Sequence, residues 1–348
     1  VIKDPDHYMI ENDKTIKEAL EKLNAIAADA VLLIVDGDKK LLGSLSDGDV
    51  RRGILKGALI QDTVSGIMHR NPQFIRKGDI DISKVVRYRN SGLKVIPVLD
   101  ANDRVERVIS FRELKSYLPL DAVIMAGGRG ERLKPLTNSV PKPMLHVGSA
   151  PILERTIKHL TSYGIDDIWI SINYLGSQII NYFENGSDRD IKISYIQEEY
   201  PLGTIGSVSM IKQFCHEHIL VLNSDLISDV DYEKFYLHFL SSNAEMSVLS
   251  IPYRISVPYA VLQSKEGRIE SLHEKPSYTY YSNGGVYLMK QSVVGLIPKE
   301  QSFDATDLIE LLLSRNMKVV SYQHNGYWLD IGRIEDFEKA NTMFSIKD

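Results

Sequence analysis

Downstream of Pro119, short apolar runs alternate with helical patterns, and no other feature limits the possible folds of this chain so tightly. The runs are Ala122 to Met125, Asp167 to Ile172, Ile191 to Ile196, Ile219 to Leu222 and Glu245 to Ile251. Strands separated by helices build an α/β domain with a largely parallel sheet, because a parallel connection has to cross over and usually does so as a helix. Ligands of such sheets sit beyond the carboxyl ends of the strands, so functional residues are expected just after each run. Glycine-rich and acidic stretches do stand there: Ala126-Gly127-Gly128-Arg129-Gly130 after the first run, Gln197-Glu198 after the third and Asn223-Ser224-Asp225 after the fourth.

Before Pro119 the pattern is different. From Thr15 to about Leu118 one unit occurs twice: an amphipathic helix, two strands around a polar turn, then a helix. The first copy places its helix at Ile16 to Leu23, its strands at Ala30 to Val35 and Leu41 to Leu45, and a second helix from Asp47; the other copy has a helix from Ile82 to Asn90 and strands at Lys94 to Leu99 and Val105 to Ser110. Units this small cannot each bury a large core, so they are expected to pack on one another. The predicted domains are therefore 1–58, 59–118 and 119–348, with Pro119 marking the last boundary.

Composition serves to exclude. With 41 basic and 46 acidic residues the net charge is -5, which argues against a general nucleic-acid binder. No apolar stretch is long enough to span a membrane. Lys3, Asp4, Asp6 and His7 deny the first ten residues the apolar middle of a secretion signal, so a cytoplasmic location is expected. The single Cys215 allows no internal disulfide.

The stretch after the first strand has a chemical reading of its own. Gly127, Gly128 and Gly130 let backbone amides approach phosphate oxygens without a Cβ in the way, and a helix starting nearby would add its positive end. Arg132 can fork across phosphate oxygens, and Lys142 can serve as a point charge on the same anion. The spacing is neither the dinucleotide fingerprint nor the P-loop ending. Glu198 and Glu199 are adjacent on a strand end and point to opposite sides, which makes a glycosidase acid–base pair a poor reading.

Taken whole, Met125-Ala126-Gly127-Gly128-Arg129-Gly130-Glu131-Arg132-Leu133-Lys134-Pro135-Leu136-Thr137 with Pro141-Lys142-Pro143-Met144 closely resembles the sugar-phosphate nucleotidyltransferase family. The resemblance continues to about Asn341. It implies a Rossmann-like domain with a mixed, mostly parallel sheet, and joining of a sugar 1-phosphate to a nucleoside triphosphate with release of pyrophosphate. Arg132 and Lys142 would then be catalytic, and the backbone from Ala126 through Gly127, Gly128 and Gly130 would hold the nucleotide together with Glu198, Gly203 and Thr204. Asp225 and Asp330 would hold Mg²⁺, while Glu274, Lys275, Asn283 and Gly284 would hold the sugar phosphate. Gly203 would permit a close approach to base and sugar, and Ile205, where the family often has Ala, would reshape the pocket modestly.

Gly43-Ser44-Leu45-Ser46-Asp47-Gly48-Asp49-Val50-Arg51 resembles a CBS repeat, so the amino-terminal part is similar to a tandem CBS pair. That implies an adenine nucleotide as ligand, with Ser46 on phosphate and Asp49 on ribose hydroxyls. The other copy, Val108-Ile109-Ser110-Phe111-Arg112, lacks the glycine and the later acid. For the base, a carboxylate can accept from the paired N–H donors of guanine, and Glu198 lines up with an acid of the guanylyltransferase members, so GTP with a hexosamine 1-phosphate or mannose 1-phosphate is favoured. Thymidylyl or uridylyl transfer to glucose 1-phosphate is the alternative, and a catalytically inactive CBS sensor is the reading from another class. A homo-oligomer is expected.

Overall fold

The computed structural model describes residues 5–26, 29–78 and 80–345; Lys3 and Asp4, on which the reading of the amino terminus partly rests, lie outside them. The chain divides into two compact units: Val1–Asp121 with Ile157–Ile168 and Phe183–Ser194, and the remainder.

In the first unit, strands Met9–Glu11, Val31–Val35 and Leu41–Ser46 form a sheet whose first pair is parallel and second antiparallel. The helix Ile16–Ile26 buries Ile16, Ala19, Leu23 and Ile26, one stripe at helical spacing. Thr15 starts it, its hydroxyl accepting from the Glu18 amide while the Glu18 carboxylate accepts from the Thr15 amide. The same arrangement recurs in Ile75–Arg76, Val95–Leu99 and Val105–Ser110, with the helix Ile82–Asn90. Val95, Leu99, Val105 and Val108 join Ile16, Leu33, Leu45 and Val64 in one core, and a backbone bridge between Lys40 and Arg104 ties the turns together. The two copies thus bury each other's apolar faces, as units of this size must.

The copies differ after their last strand. Ser46 opens the helix Asp47–Leu55, whereas Ser110 is followed by a turn. The apparent loss of the later acid in the second copy needs correction, because Glu113 stands three residues after Ser110, the interval that separates Ser46 from Asp49. Ser110 is buried and donates to Asp29, a buried carboxylate that also accepts from the Tyr8 hydroxyl at 2.6 Å.

A seven-stranded sheet runs in the order Lys192–Gln197, Asp167–Ile172, Leu120–Ala126, His218–Asn223, Ser277–Lys290, Met246–Ser256, Val319–Gln323. It is mixed and mostly parallel, the class that the alternation anticipates; Ser277–Lys290 is antiparallel to both of its neighbours. In the second unit, the core gathers Val123, Ile219, Val221, Met246 and Met289 with Leu308 and Leu312 of the helix Ala305–Ser314. Each fully buried leucine of this kind contributes roughly 1.5–3 kcal/mol. Ile205 belongs to this core and is fully buried. A short ribbon pairs Leu226–Ser228 with Trp328–Asp330. Among the described residues no helix is long and apolar enough to cross a membrane.

Candidate active site

Three strands end around one cleft of the second unit. Leu120–Ala126 delivers Gly127 and Gly128, Lys192–Gln197 delivers Glu198, and His218–Asn223 delivers Ser224 and Asp225. The cleft encloses about 510 Å³, and its lining brings together Gly127, Gly128, Gly130, Arg132, Lys142, Glu198, Gly203, Thr204, Asp225 and Asp330. Ala126 closes its strand with a buried side chain and does not line the cleft.

The glycines serve different ends. A Cβ at Gly127 would lie 3.2 Å from a Glu198 carboxylate oxygen, while one at Gly128 would meet nothing, leaving that backbone open to a ligand. Gly130 has φ of 62°, and a Cβ there would lie 3.0 Å from the Lys142 and Thr137 side chains, so it sets the turn. The helix expected nearby is a three-residue 3-10 turn, Glu131–Leu133. It is too short to act as a helix dipole, and anion binding here must come from amides and side-chain cations.

Asp225 and Asp330 are brought side by side by the ribbon, where Leu226 faces Asp330 and the Ile331 amide donates to the Asp225 carbonyl at 3.0 Å. Lys142 donates to Asp225 Oδ2, and its Nζ stands 3.9 Å from Asp330 Oδ1. Oδ1 of each aspartate is shut off from solvent with no hydrogen-bond partner among the described residues, although the Asp330 side chain as a whole is 45% exposed. Burial, and then the neighbouring Asp225 charge, push the Asp330 carboxyl above its ordinary range despite Lys142 and Arg132. Buried oxygens left without a partner cost stability unless something else binds them. Two hard carboxylate oxygens suit a cation such as Mg²⁺, which keeps waters and shares substrate phosphates. No group of three or more ligating side chains occurs among the described residues, so an all-protein cage is not what this arrangement offers.

Glu198 is buried against the Gly127 backbone, whereas Glu199 is exposed, as their opposite directions require. The Glu198 carboxylate accepts from the Ser171 hydroxyl and from the Leu202 amide at 3.2 Å. Ser171 carries no sequence signal for this role. Gly203 has φ of 76°, and a Cβ there would lie 2.6 Å from the Phe303 carbonyl. Its freedom therefore seats the loop on the chain at Phe303 while the residue still lines the cleft. The Thr204 hydroxyl accepts from the Ala305 amide at 2.9 Å and the Thr204 amide donates to Asp304 at 2.8 Å, clamping the loop to a helix start.

The residues matched to sugar-phosphate binding are not in the cleft lining. Glu274 and Lys275 lie in an exposed turn between Arg268–His273 and Ser277–Lys290, with Lys275 at φ of 43°. Asn283 and Gly284 are nearer. Because Ser277–Lys290 runs antiparallel to His218–Asn223 with Val286 opposite Leu222, the residues just before Val286 extend past the end of that strand. A Cβ on Gly285 would lie 2.6 Å from the Asn223 amide nitrogen, and the Trp328 indole donates to the Gly284 carbonyl at 3.0 Å. Asn223 and Trp328 thus seat the Asn283–Gly285 stretch of that strand, a role visible in sequence only as their closeness to the two aspartates.

In the first unit Ser46 and Asp49 meet each other. The Ser46 hydroxyl accepts from the Asp49 amide at 3.2 Å, and the Asp49 carboxylate accepts from the Ser46 amide at 2.8 Å and from Arg52. This is a capping box on Asp47–Leu55. Burial works against the Asp49 charge, but the Ser46 hydrogen bonds and Arg52 outweigh it and hold the carboxyl below its ordinary range.

The nucleotidyl transferase family model matches residues 121–345, nearly two thirds of the chain and all of the cleft. The chain belongs to the nucleotidyl transferase family. Residues 2–56 match the CBS domain. The chain is 30% identical over 231 residues to a mannose-1-phosphate guanylyltransferase of Mycobacterium tuberculosis, a stretch covering 64% of each chain. It is 33% identical over 230 residues to the bifunctional protein GlmU of Methanococcus aeolicus, covering 64% of this chain and 54% of that one. The chain therefore spans less than two thirds of the length of these relatives. The crystal structure of HddC from Yersinia pseudotuberculosis superposes with a TM-score of 0.51 at 27% identity, covering 65% of this chain and 99% of HddC.

Proposed function

We propose that this chain transfers a nucleotidyl group from a nucleoside triphosphate to a sugar 1-phosphate and releases pyrophosphate. One observation carries the reading: two aspartates, each with a buried oxygen that has no hydrogen-bond partner among the described residues, share a cleft with Arg132, Lys142, Gly127 and the open Gly128 backbone. A sugar-phosphate oxygen would attack the α-phosphorus, and the bond from that phosphorus to the pyrophosphate oxygen would break. The attacking oxygen is already anionic, so no base is needed and the work is alignment and charge compensation. Gly127 and Gly128 offer amides to the triphosphate, Arg132 reaches over its oxygens, and Lys142 exchanges its aspartate partner for phosphate. Asp225 and Asp330 would hold Mg²⁺, which when bound withdraws charge from phosphate oxygens. The exposed turn with Glu274 and Lys275 would bend toward the sugar phosphate, which Asn283 and Gly284 meet from the neighbouring strand.

GTP is the favoured triphosphate. Glu198 presents a buried carboxylate at the cleft; Ser171 and Leu202 occupy part of its acceptor capacity, and a carboxylate has about four lone-pair sites, enough left for the paired donors of guanine. The name of the Mycobacterium tuberculosis relative points the same way. A hexosamine 1-phosphate or mannose 1-phosphate is the expected acceptor. Pyrophosphate release over a panel of nucleoside triphosphates against sugar 1-phosphates tests both parts. Release with none of them overturns the transferase reading, and a dTTP or UTP preference of tenfold or more overturns the guanine assignment alone.

The proposed domains are 1–58 and 59–118 as a tandem CBS pair, followed by 119–348. Calorimetry with adenosine nucleotides tests the pair as a nucleotide site, with Asp49→Ala as control. Light scattering reads the expected homo-oligomer.

A further inference from the structure

The ribbon that sets Asp225 beside Asp330 consists of two three-residue strands, a pairing too small to hold its own geometry. One end is closed by the Ile331 amide on the Asp225 carbonyl. At the other end the chain reverses around His324. Its Nε2 lies 3.1 Å from the Tyr327 carbonyl and 3.1 Å from Asp229 Oδ1, and the Asp229 amide donates to the same Tyr327 carbonyl at 3.1 Å. Two acceptors facing Nε2 require that nitrogen to carry a proton. The His324 side chain is 9% exposed, and its backbone amide donates to the Ser250 carbonyl at 2.9 Å, so the main chain that carries the ring is anchored on the large sheet. Gly326 lets the turn close, since a Cβ there would run into Asp229 and come within 2.7 Å of His324 Cε1.

Resting on the metal reading above, we propose that His324 and Asp229 are positioning residues: they clasp the open end of the ribbon, fix the separation of Asp225 and Asp330, and thereby set the affinity of the cleft for a divalent cation. His324 holds the strand that leads to Asp330, Asp229 terminates the strand that leads from Asp225, and one ring nitrogen joins them. Loss of the clasp leaves both aspartates in place but lets their strands shift against each other.

The test uses the full chain without substrate. Trp328 lies in the ribbon two residues from Asp330, and in a Trp169→Phe background it is the sole indole of the chain. Its fluorescence titrated with MgCl₂ reports cation binding without turnover. His324→Leu and Asp229→Leu should each weaken that binding roughly fivefold, below the tenfold or more typical of groups bonded directly to a metal ligand. His324→Gln and Asp229→Asn keep a donor and an acceptor and should recover most of the loss. Asp229 is 62% exposed, so its variants should fold even if His324→Leu does not. Under turnover, the apparent Mg²⁺ requirement should rise more than the KM for triphosphate. Unchanged Mg²⁺ titration in a folded Asp229→Leu chain overturns the clasp alone. No response in the parent chain overturns the metal assignment and the clasp together. Weakening that the conservative variants do not rescue assigns the pair to stability only and also overturns it.

Discussion

Ser46–Asp49 and Asp225–Asp330 are both polar groupings that a family motif marks for binding, yet they are built in opposite ways. The hydroxyl and carboxylate at Ser46 and Asp49 satisfy one another and start a helix. At Asp225 and Asp330 each side chain keeps one buried oxygen without a hydrogen-bond partner among the described residues, and burial, then the Asp225 charge, pushes the Asp330 carboxyl up. A satisfied polar cluster stabilises the fold, whereas an unsatisfied one stores a cost that only a ligand relieves. The second unit therefore presents two acid oxygens without a hydrogen-bond partner among the described residues, and the first shows a capped helix at the matched residues.

The strongest way to break this contrast is to neutralise the acids. Asp225→Asn and Asp330→Asn should each reduce pyrophosphate release by about a hundredfold or more. The melting temperature of Asp330→Asn should hold or rise, because the substitution removes a carboxylate whose charged form is disfavoured in the fold. Near-parental turnover in both would remove the metal reading. Lys142→Met should likewise reduce turnover by roughly a hundredfold, but with a lower melting temperature, since it leaves two acids facing each other. A Lys142→Met chain as stable as the parent would show that the ion pair contributes little to the unliganded state.

Smaller effects sharpen the comparison. Glu198→Gln should reduce the preference for GTP over UTP by roughly tenfold, the scale of one hydrogen bond to a charged group, measured as a ratio of kcat/KM. An unchanged ratio would remove Glu198 from base recognition. Ser46→Ala should cost about 1 kcal/mol in urea unfolding of the first unit with turnover unaltered. The sign of its pH dependence follows from Asp49: a carboxyl held below the usual 3.8 contributes stability above that value and loses it as pH falls through the depressed one. The gap between parent and Ser46→Ala should therefore narrow on acidification below that range. A gap that stays constant would mean that Asp49 draws nothing from Ser46. Thr204→Val should cost a similar ~1 kcal/mol by leaving the Ala305 amide at the start of Ala305–Ser314 without its acceptor.

Much of the architecture was readable because it depends on local periodicity. The helix Ile82–Asn90 and the strand Val105–Ser110 occupy the residues expected of them, since apolar spacing and polar turns suffice to define such elements. The positions of Gly127, Glu198 and Asp225 after strand ends followed from the same alternation. What periodicity could not supply was the partner across the fold. The Phe303 carbonyl stands against Gly203 from a hundred residues on, and Ile205 sits in the core with helix residues such as Leu308, contacts that no local pattern announces. Ser171 under Glu198 and His324 against Asp229 are pairs between distant segments with no repeat or spacing to announce them.

The sequence by itself determined the α/β class, the repeated amino-terminal unit and the residue types at the cleft, because each is encoded within a window shorter than one supersecondary motif. Only the tertiary structure decided which polar groups find partners. Asp49 closes on a neighbour three residues away, while Asp225 and Asp330 meet across more than a hundred residues and retain oxygens that nothing in the described chain satisfies. Hydrogen-bond satisfaction is a property of assembled surroundings, and no single segment carries it.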